Sequence, residues 1–370
     1  MSKRDQVQNE ALGTALKHSR CGLGISMGVG KTLIGLKYIE HLQGNNIDKL
    51  RVLVVAPKLS IFDSWKDDAV KFNINIDKIA FSTYLSLNKL CPADYDLIVL
   101  DECHSLLYSH KEFLDEFTGR ILGLTGTPPR WNNSEKGEMV SRFCPIVYKY
   151  ITDEAIDDKI LNEYKIIVHL LHLSPKKNIP VEYKDKRWMT SEVDSYLYWT
   201  NRLSKSSTDK QKQINSIMRM KTMMTYKSKE QYTVTLLSTI EDKCIVFANT
   251  QEQADKLCDH SYHSANPDSD DNLQAFKAGA IDKLSCVMQL NEGVNIPNLK
   301  QGIILHAYGN ERKSNQRIGR LLRLNPDDTA TVHILCYVGT VDESWTRSAL
   351  KDFDQSKITY INENEQILRL

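Results

Sequence analysis

Short β-branched runs alternate with amphipathic stretches through the first 150 residues. The runs RVLVVAP (51–57), YDLIVLDE (95–102) and RILGLTGTP (120–128) read as buried strands closed by proline or charge. Between such runs, KTLIGLKYIEHLQG (31–44) has helical spacing and stops on Gly44. Strand–helix–strand order of this kind dictates a parallel sheet covered by helices on both faces. The pattern restarts in KCIVFANT (243–250), LSCVMQL (284–290), GIILHAYG (302–309) and TVHILCYVG (331–339), with helical TQEQADKLCDH and KSNQRIGRLLRL among them. A chain of 370 residues accommodates two such units, at roughly 150 residues per domain. The expected organisation is one α/β domain over 1–155 and a second over 156–370.

The stretch 175–230 has a different texture. It has no strong strand run, and its thirteen basic and six acidic residues give a local charge of +7. Tyr183, Trp188, Tyr196, Tyr198, Trp199 and Tyr226 are interleaved with that charge. A basic, mainly helical segment is expected at about 175–235, either a connector with a small core of its own or an additional grip on a polyanion.

Composition narrows the class. The net charge of +1 gives no overall polyanion signature, so any nucleic-acid surface must come from local clustering. None of the eight cysteines is spaced C-x-x-C, so neither a zinc site nor a redox pair is indicated, and the thiols are expected to be reduced and structural. The polar start MSKRDQVQNEA is not a signal peptide, and no apolar run approaches the roughly 18 residues of a membrane helix. A soluble, intracellular, cytoplasmic protein is expected.

Four motifs carry chemistry. SMGVGKT (26–32) has the make-up of a phosphate-binding loop: Ser26, Met27, Gly28, Val29 and Gly30 would turn backbone N–H groups onto phosphate oxygens. Lys31 would reach the β/γ-phosphates of ATP and Thr32 would ligate Mg²⁺. The usual first glycine is replaced by Ile25, with Gly24 one place too early. LIVLDECH ends a strand on Asp101 and Glu102, which suits a second Mg²⁺ ligand and a group that polarises the attacking water. TGTPPR (125–130) is another strand end. In QRIGRLLR (316–323), Gln316, Arg320 and Arg323 fall on one helix face, where two guanidinium groups could stabilise a transferring phosphoryl group. With the loop in one unit and the arginines in the other, the nucleotide is expected in the interdomain cleft.

The order of SMGVGKT, VVAPKLS, STYLSL, DECH, TGTP, IVFANT, LNEGVNIPN and QRIGRLLR resembles that of superfamily-two DExH helicases and DNA translocases, most closely compact phage or bacterial branch-migration types such as UvsW. SMGVGKT and PKLSIFDSW also resemble the corresponding motifs of Swi/Snf-type translocases. The resemblance covers most of the chain outside 175–230. It implies two RecA-like domains, Mg-ATP hydrolysis and movement of nucleic acid by a monomer close to a minimal motor.

Carried over by position, the resemblance makes Lys31, Asp101, Glu102, Gln316, Arg320 and Arg323 the catalytic set, with His104, Thr125 and Thr127 coupling it to TGTP. It assigns adenine recognition to Gln8, with Gln6 as the competing choice. Gly293 and Asn295 would lie at the nucleotide, Asn295 standing where a ribose-binding aspartate is common. Pro57, Lys58, Thr83, Asn249 and Thr250 match positions along the nucleic-acid track. DNA is favoured as the polymer. An RNA helicase, and a regulatory module that binds ATP without hydrolysing it, are the alternatives.

Overall fold

The computed structural model describes residues 2–26, 28–44, 50–59, 61–129, 132–287, 296–307, 328–351 and 353–362. The chain divides into two compact units, with the change at Glu163/Tyr164.

The first unit contains α1 (Lys3–Leu16), β1 (Arg20–Ile25), α2 (Lys31–Gln43), β2 (Val52–Ala56), α3 (Ile61–Phe72), β3 (Ile79–Thr83), β4 (Leu97–Asp101), α4 (Lys111–Glu116), β5 (Arg120–Thr125), α5 (Glu135–Phe143), β6 (Ile146–Tyr150) and α6 (Thr152–Asp157). Its six strands form a parallel sheet in the order β3-β2-β4-β5-β1-β6. The central strands β2 and β4 are buried along their whole length, which is why they read as unbroken apolar runs. The helix expected over 31–44 forms, and Gly44 closes it at φ 54°.

The second unit contains β7 (Glu163–Leu171), β8 (Ile179–Tyr183), β9 (Lys186–Thr190), α7 (Glu192–Ser204), α8 (Asp209–Met224), α9 (Lys227–Thr239), β10 (Cys244–Ala248), α10 (Gln251–Leu257), β11 (Ser261–Tyr262), α11 (Ser269–Ala278), β12 (Lys283–Val287), β13 (Gln301–Ile304), β14 (Thr329–Tyr337), α12 (Val341–Leu350) and β15 (Ile358–Asn362). Seven strands are ordered β11-β12-β10-β13-β14-β7-β15, and β10 pairs in parallel with both β12 and β13. These are the two parallel α/β domains expected of tandem RecA-like units.

The basic segment is not helical throughout. It opens with an antiparallel hairpin of β8 and β9, and only then continues as α7, α8 and α9. Lys186, Arg187, Trp188 and Met189 of β9 are all exposed, so neither face supplies the alternation that marks a strand. The turn places Lys184 at φ 53°. Its aromatics divide: Tyr196 and Tyr226 are buried in the second unit's core, whereas Trp188 and Tyr198 are exposed. All eight cysteines are free thiols; Cys91 is exposed and Cys258 partly so, and the other six are buried. Among the described residues, no helix is long and apolar enough to cross a membrane.

Candidate functional site

The first unit gathers its polar residues at the C-terminal ends of β1, β4 and β5. In an open parallel sheet this is the edge where ligands bind. The phosphate-loop sequence joins β1 to α2, and Gly28 and Gly30 adopt φ 89° and 104°, which a side chain would oppose. Ile25 is the last residue of β1, paired with Tyr150 of β6 and fully buried. It belongs to the sheet, and the turning loop begins after it. Gly24 has a separate task, since a Cβ there would come within 2.7 Å of Pro128 Cγ in the TGTP turn. Ser26 is buried, with its hydroxyl 2.9 Å from that of Thr152.

Gln8, rather than Gln6, reaches the loop. Its amide donates to the Val29 carbonyl at 2.8 Å, and a Cβ on Gly30 would lie 2.6 Å from Gln8 Nε2. The other end of that amide, Oε1, is buried without a hydrogen-bond partner. A buried orphan acceptor is costly. It suits a ligand donor such as the exocyclic amine of adenine, so the residues present fit a nucleotide on this observation.

Asp101 ends β4, in register with Leu124 of β5. Trp65 of α3 donates its indole N–H to Oδ2 at 2.9 Å, and the Glu102 backbone N–H donates to Oδ1 at 2.9 Å. Tyr84 donates its hydroxyl to the Asp101 carbonyl at 3.0 Å. Burial, reinforced by the neighbouring Glu102 carboxylate, pushes the Asp101 carboxyl up to about 6, against the opposing pull of Trp65 and Lys31. A desolvated carboxylate of this kind gains from a cation.

Glu102 turns through the left-handed region at φ 50°, which swings its side chain towards α2. Lys31 Nζ lies 3.7 Å from Glu102 Oε1, a loose ion pair that leaves the ammonium able to engage another anion. His104 Nδ1 lies 3.2 Å from Glu102 Oε2 and 2.7 Å from Thr125 Oγ1, with Thr127 Oγ1 at 3.4 Å. The Thr127 backbone N–H donates to Thr125 Oγ1 at 3.1 Å. A continuous polar path thus runs from Lys31 through Glu102 and His104 to the TGTP turn.

Pro57 and Lys58 directly follow β2, and Thr83 ends the neighbouring β3, where it is in register with Ala56. Lys58 is exposed. These three expected track residues therefore share one sheet edge. Asn249 and Thr250 follow β10 in the second unit, where Thr250 caps α10 by accepting from the Gln253 N–H at 3.1 Å. Met27, Gly293, Asn295, Gln316, Arg320 and Arg323 lie outside the described residues. Sequence reasoning assigned no role to Trp65 or Tyr84. The tryptophan closes PKLSIFDSW, and its position in that motif was the available signal.

Comparison with known proteins gives two family matches: "Type III restriction enzyme, res subunit" over residues 3–130, and "Helicase conserved C-terminal domain" over 227–325. The chain is 24% identical to the DNA 3'-5' translocase XPB2 of Sulfurisphaera tokodaii, across 92% of this chain and 83% of that protein. Among solved structures, the type ISP restriction-modification enzyme LlaBIII bound to DNA aligns at a TM-score of 0.63 and 15% identity. That alignment covers 98% of this chain but only 31% of LlaBIII. The HsdR-subunit fragment of a type I restriction enzyme from Vibrio vulnificus aligns at 0.61 and 18% identity, covering 98% of this chain and 68% of the fragment. At these identities, the structural likenesses speak for the fold.

Proposed function

From its membership of the superfamily-two helicases, to which this chain belongs, we propose that it is a monomeric, DNA-stimulated ATP hydrolase that moves along or separates DNA. The observation that carries this reading is the connected set Lys31, Glu102, His104 and Thr125 at one sheet edge, beside an orphan acceptor on Gln8. Gln8 Oε1 selects the adenine amine. The loop's backbone N–H groups and the positive end of α2 hold the phosphates, and Lys31 neutralises the β/γ oxygens. Thr32 and Asp101 would hold Mg²⁺, which when bound offsets charge developing on the transferring phosphoryl group. Glu102 orients the attacking water and takes its proton. His104 then links Glu102 to Thr125 and Thr127, so a change at the γ-phosphate is felt in the TGTP turn. Arg320 and Arg323 are proposed to stabilise charge on the transferring phosphoryl group, with Gln316, Gly293 and Asn295 also serving the nucleotide.

Movement over any sequence calls for backbone rather than base contacts. Pro57, Lys58 and Thr83 are proposed to hold the polymer from the first unit, and Asn249 and Thr250 from the second. The exposed lysines and Tyr198 of the α7–α8 segment add a further grip. The finer substrate, following the UvsW-type resemblance, is branched DNA within the cytoplasm of a bacterial or phage-infected cell.

ATP turnover measured without nucleic acid and with single-stranded DNA, duplex DNA, branched DNA or RNA tests the proposal. DNA should stimulate turnover severalfold or more, with branched DNA the strongest. Stimulation by RNA alone would reassign the polymer. Equal turnover in every condition, matched by a Glu102→Gln variant, would leave an ATP-binding module and no motor.

A further inference from the structure

Trp65 is fully buried on α3, a helix that follows exposed Lys58 and Leu59. A buried indole N–H needs an acceptor, and here the acceptor is a carboxylate oxygen, Asp101 Oδ2, at 2.9 Å. With Oδ1 already taking the Glu102 N–H, both oxygens of Asp101 are anchored and its rotamer is fixed. The ring also faces α2. A Cβ on Gly35 would come within 2.5 Å of Trp65 Cη2, so the helix lies directly on the indole. That same helix carries Lys31 and Thr32 as its first two residues. One side chain therefore touches the carboxylate on β4 and sets the height of the helix that bears the threonine.

We propose that Trp65 is a positioning residue for magnesium–nucleotide binding, holding Asp101 and the start of α2 at the separation that lets Asp101 and Thr32 serve one ion. The assignment rests on reading the site as a Mg-ATP site. It differs from the roles of Lys31 and the loop glycines, which act on the phosphates whether or not metal is present.

The test is calorimetric titration of ADP into the full-length protein, with and without Mg²⁺. Wild type should bind more tightly when Mg²⁺ is present. Trp65→Phe keeps an aromatic side chain in the core but removes the N–H, together with the distal ring carbons that face Gly35. It should hold its metal-free affinity within about twofold and lose roughly tenfold of the magnesium-dependent gain, as expected for a hydrogen bond to a charged group. The Trp65→Phe/Asp101→Asn double variant should then show no further loss beyond Asp101→Asn alone. Gly35→Ala, which presses a methyl group on the indole, should reproduce the loss and serves if the phenylalanine variant does not fold. A full magnesium gain in either folded single variant, or losses that simply add in the double variant, overturns the proposal. A wild type whose ADP binding ignores Mg²⁺ overturns the underlying Mg-ATP reading instead.

Discussion

Glu102 shows how much one backbone angle decides. Its left-handed conformation costs on the order of 1 kcal/mol for a side-chain-bearing residue, yet it delivers the carboxylate to both Lys31 and His104. Glu102→Gln keeps the shape and removes the base. It should bind nucleotide within a few-fold of wild type while turnover falls by at least ~100-fold, measured as single-turnover hydrolysis. A second residue-scale case is Lys229, which is buried with its ammonium 2.5 Å from Asp342 Oδ2, 2.9 Å from His306 Nδ1 and 2.8 Å from the Leu335 carbonyl. Burial alone would raise the Asp342 carboxyl, but Lys229 and His306 hold it well below the usual carboxylate range. Lys229→Met leaves that charge without its main partner. It should cost about 3–5 kcal/mol of stability in urea unfolding, and Lys229→Met/Asp342→Leu should recover much of the loss.

Elements differ in how plainly their sequences declare them. β2 and β4 are buried on both faces and read directly from VLVV and LIVL. β1, RCGLGI, lies between β5 and β6 but carries two glycines where strands usually carry branched residues. Its glycines answer to distant partners: a Cβ on Gly22 would come within 2.5 Å of the Cys144 carbonyl, and Gly24 faces Pro128. No local pattern encodes those approaches. Lys31, Asp101, Glu102 and His104 were legible because each stands in a short ordered motif. Trp65's partner was not, because the two residues stand 36 positions apart. The histidines of β7 and β14 were equally silent. Tyr232 OH lies 2.8 Å from His169 Nδ1, His169 Nε2 lies 2.9 Å from His333 Nδ1, and His333 Nε2 lies 3.2 Å from Gln301 Oε1. Two neutral imidazoles satisfy this row with every donor pointing one way. Burial, helped by Lys165, lowers His333 to about 4 from an ordinary 6.5. A group depressed in the folded state takes its proton first in the unfolded chain. Stability is therefore intact above pH 6.5 and declines as pH falls towards 4, by up to about 3 kcal/mol. Melting curves between pH 8 and pH 4 should show that decline, and His333→Gln should melt lower at pH 8 but lose less on acidification.

At the scale of the whole molecule, a near-neutral chain must concentrate positive charge wherever it grips a polyanion. The second unit does so on the helical pair α7 and α8, which follows the β8–β9 hairpin. Lys210, Lys212 and Lys221 are exposed along α8, and Arg202 of α7 stacks 5.7 Å from the centroids of both Tyr198 and Trp199. On the acidic side, Glu192 is buried and spent on the Ser174 and Ser228 N–H groups at 2.9 and 3.0 Å, so it does little to offset that charge at the surface. The arrangement matches a surface that meets phosphates with lysines and offers an aromatic face to a base. Removing one lysine–phosphate interaction should reduce the slope of log K against log salt by about 0.7–0.9. Replacing Lys210, Lys212 and Lys221 by alanine should thus flatten the slope for single-stranded DNA by about two units or more. Nucleotide affinity in the absence of DNA should stay at the wild-type value, because the phosphate loop belongs to the other unit. An unchanged slope with intact DNA-stimulated turnover would make α7 and α8 a scaffold and confine the grip to the strand-end residues.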